Sequence, residues 1–406
     1  MMLTVEEALE RILRPLRPVP AETVSIAAAR GRVLAEDVAS RRTQPPSDVS
    51  AMDGYAVRAG DVARLPASLT VIGEAPAGRA FSGDMGAGEA VRIFTGGPVP
   101  AGADTIVLQE DVEPAEGSPR ILVREAARPG RHIRQRGQDI AKGAPLLKAG
   151  TRLGPRQLGL LAAADVPWLT VHRRPRIALL ATGGELKRPG EPMTPEQIVA
   201  SIGYALSAYV EAWGGAPADI GIAEDTPEAL REGVARARGA DLLVTTGGAS
   251  VGDYDLLKDH LPAEGFALDF WRVAMRPGKP LLFGKLGELP LLGLPGNPVS
   301  ALVCAQLFLR PAVARLSGLS DPDVPLRRAA LGVDLPENGP RQNYMRAEIR
   351  TGSGGVLTAT PLPVQDSAML SGFAKAGGLI VRPPLAPAAS AGEPAEVLLF
   401  ADLEPL

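Results

Sequence analysis

Apolar and polar residues alternate with different periods in different parts of the chain. Residues 5–16 carry apolar side chains at helical spacing, and Thr4 with Glu7 three positions later is typical of a capping box. From about residue 44 to 128, short β-type runs are separated by Gly and Pro. These runs lie at residues 69–73, 90–95 and 105–108. The pattern predicts a short N-terminal helix followed by a small β domain.

Strand-like and helix-like patterns alternate regularly between residues 175 and 318. One helix is expected to begin after Thr226 as its N-cap, with Pro227 at the first helical position. Strands are predicted at residues 176–181, 219–222, 241–246, 269–273, 280–283 and 290–294, and further helices at residues 197–213 and 298–316. This alternation predicts a largely parallel, doubly wound sheet, whose binding loops lie at the carboxyl ends of the strands.

These patterns together predict a multidomain α+β protein. We expect an elongated helical and linker domain at residues 1–45 and 129–174, with a small β domain at 46–128 inserted in it. An α/β domain follows at residues 175–320. Residues 321–406 return to β-type runs, which predict a small barrel-like domain or sandwich.

Composition and charge exclude several classes of function. The 406 residues include 43 Lys or Arg and 46 Asp or Glu, and the net charge of -3 gives no basic footprint for nucleic acid. The single cysteine permits no intrachain disulfide and no zinc or iron–sulfur cluster held by cysteines. We see no export signal, and no stretch approaches the ~20 apolar residues that cross a bilayer. We therefore expect a soluble, cytoplasmic protein whose chemistry relies on carboxylates.

Two Gly-rich turns follow predicted strands of the α/β domain. They contain Thr182, Gly183 and Gly184 in the first turn, and Thr246, Gly247, Gly248 and Ser250 in the second. Glycines after a strand let backbone N–H groups approach an anion at a helix N-terminus. Either turn alone is better explained as a tight connection that needs a positive φ. Two such turns on neighbouring strands favour a phosphate-binding crevice, although neither matches a Walker loop or a dinucleotide-binding fingerprint.

Two loops stiffened by Pro and Gly add polar groups to this edge of the sheet. Arg276 and Lys279 lie in the first loop, RPGKP, and suit a phosphate or an oxyanion such as molybdate; a solvated connector explains the loop equally well. The second loop, GLPGNPVS, contains Pro295, Asn297, Pro298 and Ser300. It opens the apolar helix, so its polar side chains would meet a ligand there, or Asn297 would simply cap the helix.

Carboxylates follow the same strands. Glu185 comes after the first Gly-rich turn, and Asp225 comes after the intervening strand. Asp253 and Asp255 come after the second turn. If the acids converge at one sheet edge, they give an oxygen-rich site for Mg²⁺. Each alone is more often a cap or a turn residue, and Asp225 could cap the next helix together with Thr226.

Three further residues receive no function from the sequence alone. Asp53 precedes a glycine, and Asp-Gly is first a hairpin-turn signal. Asp139, in the run RGQD, is equally ambiguous. Cys304 lies in the apolar helix and is expected to be a small core residue rather than a nucleophile.

Taken together, the motifs resemble one family, the molybdopterin molybdenumtransferases, which include MoeA and the gephyrin E domain. The resemblance is carried by SAMDGYAV at residues 50–57, FTGGPVPAGADTIVLQED at 94–111, RQRGQDI at 134–140, TTGGASVGDYD at 245–255, RPGKP at 276–280 and GLPGNPVSA at 293–301. The TGG and GLPGNP motifs alone would also suit the related molybdopterin adenylyltransferases. Those proteins lack the N-terminal two-part module.

The resemblance implies an enzyme for the last step of molybdenum cofactor assembly. Such an enzyme inserts molybdenum from molybdate into adenylylated molybdopterin and releases AMP, with Mg²⁺ or a similar divalent cation. The resemblance also implies an elongated homodimer, in which the molybdopterin-binding α/β domain of one subunit faces the β and C-terminal domains of the other. Other proteins of the cofactor pathway are candidate partners, and neither nucleic acid nor a membrane is expected.

The family's site residues map onto this chain motif by motif. The implied catalytic acids are Asp53, reaching across the dimer, Asp139, Glu185, Asp225 and Asp255, and the last three would hold the metal. The residues implied to bind the pterin phosphate and nearby groups are Thr95, Thr182, Gly183, Thr246, Gly247, Gly248, Ser250, Arg276, Lys279, Pro295, Asn297, Pro298 and Ser300. Arg346 with Ser367 or Ser371 would lie near the molybdate.

The chain departs from the family pattern at several positions. These are Gly184, the segment Ala200, Ser201 and Ile202, Arg276, and the segment Gln365, Asp366 and Ser367. Ile202 cannot make the hydrogen bonds of the amide that is usual there. The departures motivate an alternative, a non-catalytic cofactor-binding scaffold or carrier. A second alternative is a molybdopterin adenylyltransferase, against which the N-terminal module and Asp53 argue.

Overall fold

The computed structural model describes residues 2–247, 265–320, 325–352 and 354–403. Its helices in chain order are α1 (Val5–Leu13), α2 (Pro155–Ala163), α3 (Ile202–Ala212), α4 (Pro227–Arg236), α5 (Pro298–Cys304), α6 (Arg310–Leu316), α7 (Leu370–Lys375) and α8 (Phe400–Leu403). A π-helical segment, Ala305–Leu309, joins α5 to α6.

The strands are short and numerous. In the first part of the chain they are β1 (Ala21–Ser25), β2 (Val38–Ala39), β3 (Val49–Ser50), β4 (Gly54–Val57), β5 (Ala67–Ala75), β6 (Glu89–Ile93), β7 (Thr105–Leu108), β8 (Val112–Pro114), β9 (Arg120–Val123), β10 (Ile133–Arg134), β11 (Pro145–Leu147) and β12 (Trp168–His172). The α/β part contains β13 (Arg176–Thr182), β14 (Leu186–Lys187), β15 (Ile198–Val199), β16 (Ala216–Ala223), β17 (Leu242–Thr246), β18 (Phe266–Trp271), β19 (Met275–Arg276), β20 (Leu282–Leu286) and β21 (Leu289–Leu294). The last strands are β22 (Arg327–Leu331), β23 (Gln342–Thr351), β24 (Leu357–Pro361), β25 (Gly378–Arg382) and β26 (Pro394–Leu399).

Helix α1 begins where the capping box predicts. Thr4 Oγ1 accepts a hydrogen bond from the Glu7 N–H at 3.1 Å, and Glu7 Oε2 accepts one from the Thr4 N–H at 2.8 Å. These bonds satisfy two of the N–H groups that lack partners at a helix start. The buried face of α1 packs against the core of the α/β domain. The predicted helix is confirmed, although it ends at Leu13 rather than at residue 16.

The small β domain contains a six-stranded sheet with the order β7-β4-β6-β5-β9-β8. Strand β4 lies between β6 and β7 and pairs antiparallel with both. Its consecutive residues Ala56 and Val57 are both buried and point to opposite faces of the strand, where they belong to two separate apolar clusters. The turn before β4 carries Asp53, so this turn is anchored to two neighbouring strands.

The sheet of the α/β domain has the order β16-β13-β17-β21-β20-β18. Strands β16, β13, β17 and β21 run parallel, whereas β20 and β18 run antiparallel to their neighbours. The predicted parallel arrangement is therefore confirmed for four of the six strands. Strand β20 is antiparallel to β21 because the two-residue connection between them at Gly287 is too short for a crossover helix.

The helix predicted over residues 197–213 begins only at Ile202. Residues 198 and 199 form β15 instead, which pairs with β14. The Ile198 N–H donates to the Glu185 carbonyl at 2.9 Å, and the Ala200 N–H donates to the Lys187 carbonyl at 2.8 Å. The β-branched residues Ile198 and Val199 therefore pair with a strand that lies outside their own segment, and local periodicity cannot reveal such a partner.

The helix from Pro298 to Leu316 forms the centre of the α/β core. Pro311 has no N–H, and the turn before it widens: the Arg310 N–H donates to the Ala305 carbonyl five residues back. The 19-residue helix is long and apolar enough to cross a membrane, so the expectation that no stretch approaches that length is wrong. However, 89% of the apolar stretch is buried inside the protein, as in a core helix.

The C-terminal strands close into a small barrel. Strand β23 pairs with both β24 and β25, so the ring β23-β24-β22-β26-β25 is complete. Strand β19 adds to this sheet by parallel pairing with β23, Met275 opposite Gln342 and Arg276 opposite Asn343. The RPGKP loop is therefore attached to the barrel as well as to the α/β domain.

Candidate functional site

A cleft of about 700 Å³ opens between the loops of the α/β domain and the C-terminal barrel. The residues singled out from the sequence that line it are Thr182, Gly183, Glu185, Asp225, Gly247, Arg276, Lys279, Pro295, Asn297, Ser300 and Ser367. A second cavity of about 320 Å³ shares Thr182, Glu185 and Asn297 with the cleft. This second cavity is also lined by Thr246 and Pro298.

The two Gly-rich turns contact each other at the base of the cleft. Thr182 Oγ1 donates to the Thr246 carbonyl at 3.2 Å, and both residues are buried. Gly247 has a φ of +88°, and a Cβ at this position would lie 2.4 Å from the Thr182 carbonyl oxygen. Only glycine permits this approach of two backbones. The turns therefore bring the ends of β13 and β17 to one site.

Two carboxylates lie beside the first turn. Asp225 Oδ2 accepts a hydrogen bond from the Gly184 N–H at 3.1 Å. Capping of α4 is performed by Thr226, whose Oγ1 accepts from the Ala229 N–H at 3.2 Å, so Asp225 is not the cap. The Glu185 carboxylate lies over Gly183, where an added Cβ would come 2.5 Å from Glu185 Oε2. Both acids are exposed and line the cleft.

The third acid of the expected metal set lies in a segment outside the described residues. Asp255 belongs to this segment, as do Asp253, Gly248 and Ser250. Among the residues that are described, no group of three or more His, Cys, Asp or Glu side chains could hold a metal ion. Glu185 and Asp225 are thus the described part of the proposed acidic set.

The RPGKP loop brings two cations to the cleft. Arg276 and Lys279 both line it, and within the described part of the chain neither has an acidic partner. Gly278 between them has a φ of +104°, and a Cβ there would lie 2.4 Å from Cys304 Sγ. The Cys304 thiol is buried in α5, and burial raises its pKa. The loop therefore rests directly on the core helix.

Replacing Gly278 by Ala is expected to lower the free energy of unfolding by about 2–4 kcal/mol, because the new Cβ combines a strained φ with a collision in the core. Gly287 is the matched control, since it has a positive φ of +57° but nothing within 4 Å of an added Cβ. Gly287→Ala should cost only about 1 kcal/mol. Denaturant unfolding of both variants measures the difference, and equal losses would contradict the proposed contact with Cys304.

The GLPGNP loop is joined to the barrel at the opposite wall of the cleft. Asn297 Nδ2 donates to Ser367 Oγ at 3.1 Å, and the Val299 N–H donates to the Ser367 carbonyl at 3.0 Å. Asn297 occupies the N-cap position of α5, but its side chain makes no capping bond. The side chain instead fixes the position of the barrel loop relative to the helix start.

Arg346 and Ser371 are not among the residues that line the cleft. The Arg346 side chain is only 2% exposed. Its Nη1 and Nη2 donate to the carbonyls of Met369 at 3.3 Å and Val364 at 3.2 Å, and its Nε donates to Gln365 Oε1 at 3.4 Å. Arg346 therefore shapes the loop that presents Gln365 and Ser367 to the cleft.

Asp53, Thr95 and Asp139 lie in the N-terminal half of the subunit, outside the lining of this cleft. Asp53 Oδ1 accepts hydrogen bonds from the Thr95 N–H at 2.7 Å and from Thr95 Oγ1 at 2.8 Å. These two bonds, with a further contribution from the charge of Arg92, hold the pKa of Asp53 below its ordinary value. Asp139 is exposed at a turn. One subunit thus places the two groups of predicted acids in separate places.

Thr95→Val is expected to raise the pKa of Asp53, because the variant loses the hydroxyl donor and keeps the backbone N–H. Because the pKa of the Asp53 carboxyl is lowered on folding, its ionisation stabilises the fold above the ordinary pKa, and this contribution is lost as the pH falls through the lowered pKa. A carboxyl-carbon NMR titration measures the shift, with Thr70→Val in the same domain as control. An unchanged or lower pKa in Thr95→Val would contradict the assigned bond.

Some lining residues were not singled out as binding residues from the sequence. They are Ile198, Arg341, Gln365 and Asp366. Arg341 directly precedes β23, and the parallel pairing of β23 with β19 brings the start of β23 next to the strand that leads into the RPGKP loop. Within the described residues the Arg341 side chain has no acidic partner, so it adds a third cation to the cleft. No local sequence signal could reveal this, because it depends on contact between two domains.

The fold and cleft define a class of protein with a cation-lined cleft between a doubly wound domain and a β-barrel. Family comparison is consistent with this class along the whole chain. Residues 3–164 match the MoeA N-terminal region (domain I and II), residues 178–315 match a probable molybdopterin binding domain, and residues 328–400 match the MoeA C-terminal region (domain IV).

Individual relatives agree with the family match. The chain is 40% identical over 333 residues to a molybdopterin molybdenumtransferase of Nostoc sp., covering 80% of this chain and 76% of that one. It is 37% identical over 385 residues to molybdopterin molybdenumtransferase 2 of Mycobacterium tuberculosis, covering 92% and 93%. The chain belongs to the molybdopterin molybdenumtransferase family, which confirms the resemblance inferred from its motifs.

Solved structures give the same fold. A crystal structure of the molybdopterin biosynthesis moeA protein from Pyrococcus horikoshii OT3 superimposes with a TM-score of 0.84 at 28% sequence identity. The match covers 98% of this chain and 100% of that chain. The predicted multidomain architecture, with an α/β domain between N-terminal and C-terminal modules, is therefore confirmed.

Proposed function

We propose that this protein inserts molybdenum from molybdate into adenylylated molybdopterin and releases AMP. Its family carries out the molybdenum insertion step of cofactor assembly. The observation that supports the proposal most strongly is the cleft itself, which collects three cations, the carboxylates of Glu185, Asp225 and Asp366, and the Ser367 loop in one place. Such a cleft suits a substrate that is a polyanion and a reaction that breaks a phosphoanhydride bond.

The cations account for binding. Molybdate and the phosphates of the adenylylated substrate are anions, and Arg276 can bind an oxyanion through two parallel N–H bonds. Lys279 adds a point charge, and Arg341 extends the positive surface toward the barrel. The backbone N–H groups of the Gly-rich turns supply further donors without added charge.

The carboxylates account for the bond that breaks. Hydrolysis of the phosphoanhydride adds a water oxygen to the phosphorus of the AMP moiety and releases the molybdopterin phosphate. Glu185 and Asp225 line the cleft, where either can orient this water and accept its proton. The thiols that bind molybdenum belong to the substrate, so the buried Cys304 is not required.

The same two acids fit a divalent cation. Mg²⁺ commonly uses one or two carboxylates and takes its remaining ligands from water and substrate phosphates. Glu185 and Asp225 offer that donor set, and Asp255 is the proposed third acid. When bound, Mg²⁺ would neutralise charge that develops on the phosphoryl oxygens.

We further propose a cytoplasmic homodimer in which the site is shared between subunits. Asp53 and Thr95 are exposed and do not line the cleft of their own subunit, which supports a role at the cleft of the partner. A single unpaired Cys304 is compatible with a reducing compartment.

AMP release tests the proposal against its alternatives. The purified protein, given adenylylated molybdopterin, molybdate and Mg²⁺, should release AMP, and omission of molybdate should reduce the yield of active cofactor. A cofactor-binding scaffold would bind the pterin without releasing AMP. An adenylyltransferase would instead consume ATP when given molybdopterin. Either of these outcomes would contradict the proposed reaction.

A further inference from the structure

Arg92 lies near the end of β6, close to the turn that carries Asp53. In the antiparallel pairing of β4 with β6, Arg92 is opposite Tyr55. Its guanidinium carbon is 5.0 Å from the ring centroid of Tyr55 and 5.0 Å from that of Phe94. Both distances allow cation–π attraction, which is favourable within about 6 Å of a ring centroid. The two rings therefore hold the Arg92 side chain on one face of the sheet.

The Arg92 guanidinium also connects three segments of the chain. Its Nη1 donates to the Gly54 carbonyl at 3.0 Å, and its Nη2 donates to Gln109 Oε1 at 2.6 Å. The Gln109 N–H in turn donates to the Asp53 carbonyl at 3.3 Å. The network therefore ends on the two consecutive backbone carbonyls of the turn, those of Asp53 and Gly54.

The Asp53 carboxylate is held by one oxygen only. Both donors of Thr95 bind Oδ1, and within the described part of the chain Oδ2 has no hydrogen-bond partner. Arg92 contacts Gly54, which follows Asp53 in the chain, and Phe94, which precedes Thr95, so it touches a neighbour of each member of the Asp53–Thr95 pair. A carboxylate with one anchored oxygen and one free oxygen is suited to a precise external contact.

We propose that Arg92 is a positioning residue for Asp53, which locks the Asp53–Gly54 turn against the end of β6 and thereby presents the free oxygen Oδ2 in one orientation. The proposal rests on the function proposed above, in which Asp53 serves the cleft of the partner subunit. Arg92 touches no substrate in this account. It acts through the turn, through the two aromatic rings and through its charge near the carboxylate.

Two substitutions separate these contributions. Arg92→Met keeps much of the aliphatic packing but loses the charge and both hydrogen bonds, and Arg92→Lys keeps the charge but loses the planar fork. We expect kcat for AMP release to fall about 10- to 100-fold in Arg92→Met with KM nearly unchanged, and to be partly rescued in Arg92→Lys. Arg124→Met is the control, because Arg124 makes an exposed ion pair with Glu113 in the same domain.

A double-mutant cycle distinguishes positioning from general destabilisation. If Arg92 acts through Asp53, Arg92→Met should cause no further loss of kcat in an Asp53→Asn background. Additive losses, or a loss of kcat equal to that of Arg124→Met, would overturn the proposal. Denaturant unfolding of each variant checks that the fold is retained.

Hydrogen exchange tests the positioning without any assay of activity. The Thr95 N–H donates a hydrogen bond to Asp53. Its hydrogen should exchange with solvent at least about tenfold faster in Arg92→Met, because the Asp53–Gly54 turn is no longer held against β6 and this bond opens more often. The Ile121 N–H of the distant β9 should be unchanged. Unchanged exchange at Thr95 would overturn the positioning role even if AMP is released. Faster exchange with no AMP release by the wild type would retain the positioning role and reject the proposed function.

Discussion

Asp225→Asn and Glu185→Gln are each expected to reduce kcat for AMP release by on the order of 10²–10³-fold. Each variant removes one of the two carboxylates that the α/β domain contributes to the cleft, and with it a group that can orient water and bind a divalent cation. Binding of the pterin should remain within a fewfold of wild type, because Arg276, Lys279 and Arg341 are untouched. The expected pattern is therefore a loss of kcat with a small change in substrate affinity.

Glu224→Gln is the matched control for Asp225→Asn. Glu224 precedes Asp225 in the chain and is exposed, but it does not line the cleft. Its substitution removes the same charge at nearly the same place and should leave kcat unchanged. Steady-state AMP release and fluorescence titration of the pterin measure the two quantities. If Asp225→Asn behaves like Glu224→Gln, the assignment of Asp225 to the chemistry is wrong.

Mixed dimers provide the second large effect. Asp53→Ala and Asp225→Ala should each be nearly inactive as pure proteins, whereas dissociation and reassociation of the two together should restore activity. Random reassociation makes half of the dimers mixed. If each site is shared between subunits, every mixed dimer has one site with both acids intact. We therefore expect recovery to about a quarter of wild-type activity, as the two-fold symmetry of the dimer requires.

The control for this recovery is a pair of variants within the same cleft. Glu185→Ala mixed with Asp225→Ala leaves every site lacking one acid, and activity should stay at the level of the pure variants. Recovery of activity in this control would mean that the recovery seen with Asp53→Ala and Asp225→Ala does not come from a site shared between subunits. Absence of recovery with Asp53→Ala and Asp225→Ala would show that Asp53 does not act across the dimer.

Local signals in the sequence predicted the elements that local contacts determine. The capping box of Thr4 and Glu7 and the cap at Thr226 both form as expected, because their partners lie within three residues. The helix over residues 298–316 is predicted by its long apolar run, and nearly all of its side chains are buried in the structure. The helix expected from residue 197 starts late, because Ile198 and Val199 pair with β14, a partner outside the segment.

The cleft was only partly predictable for the same reason. Strand ends placed the Gly-rich turns, Glu185 and Asp225 at one edge of a parallel sheet, and the structure brings them together there. Arg341 and Gln365 come from the barrel, so their presence depends on how two domains pack. The bonds from Thr95 to Asp53 join residues 42 positions apart, which no periodicity could reveal.

The family resemblance implies a role for Arg346 beside the molybdate, and the geometry of this subunit places Arg346 elsewhere. Arg346 was expected near molybdate, but in this subunit its guanidinium is buried among the carbonyls of the loop after β24. Arg341, which the motifs did not point to, is the barrel cation that lines the cleft. Arg346 is buried and shapes the loop, whereas the half-buried Arg341 lines the cleft, where it can contact an anion.

The most direct test of molybdenum insertion is a single-turnover experiment that counts both products. Enzyme in excess over adenylylated molybdopterin, with molybdate and Mg²⁺, should yield one AMP for each pterin that acquires molybdenum, measured by nucleotide chromatography and by metal analysis of the isolated cofactor. Equal amounts of the two products are expected. Pterin that stays adenylylated and free of molybdenum, although it is bound in the cleft, would contradict molybdenum insertion by this protein.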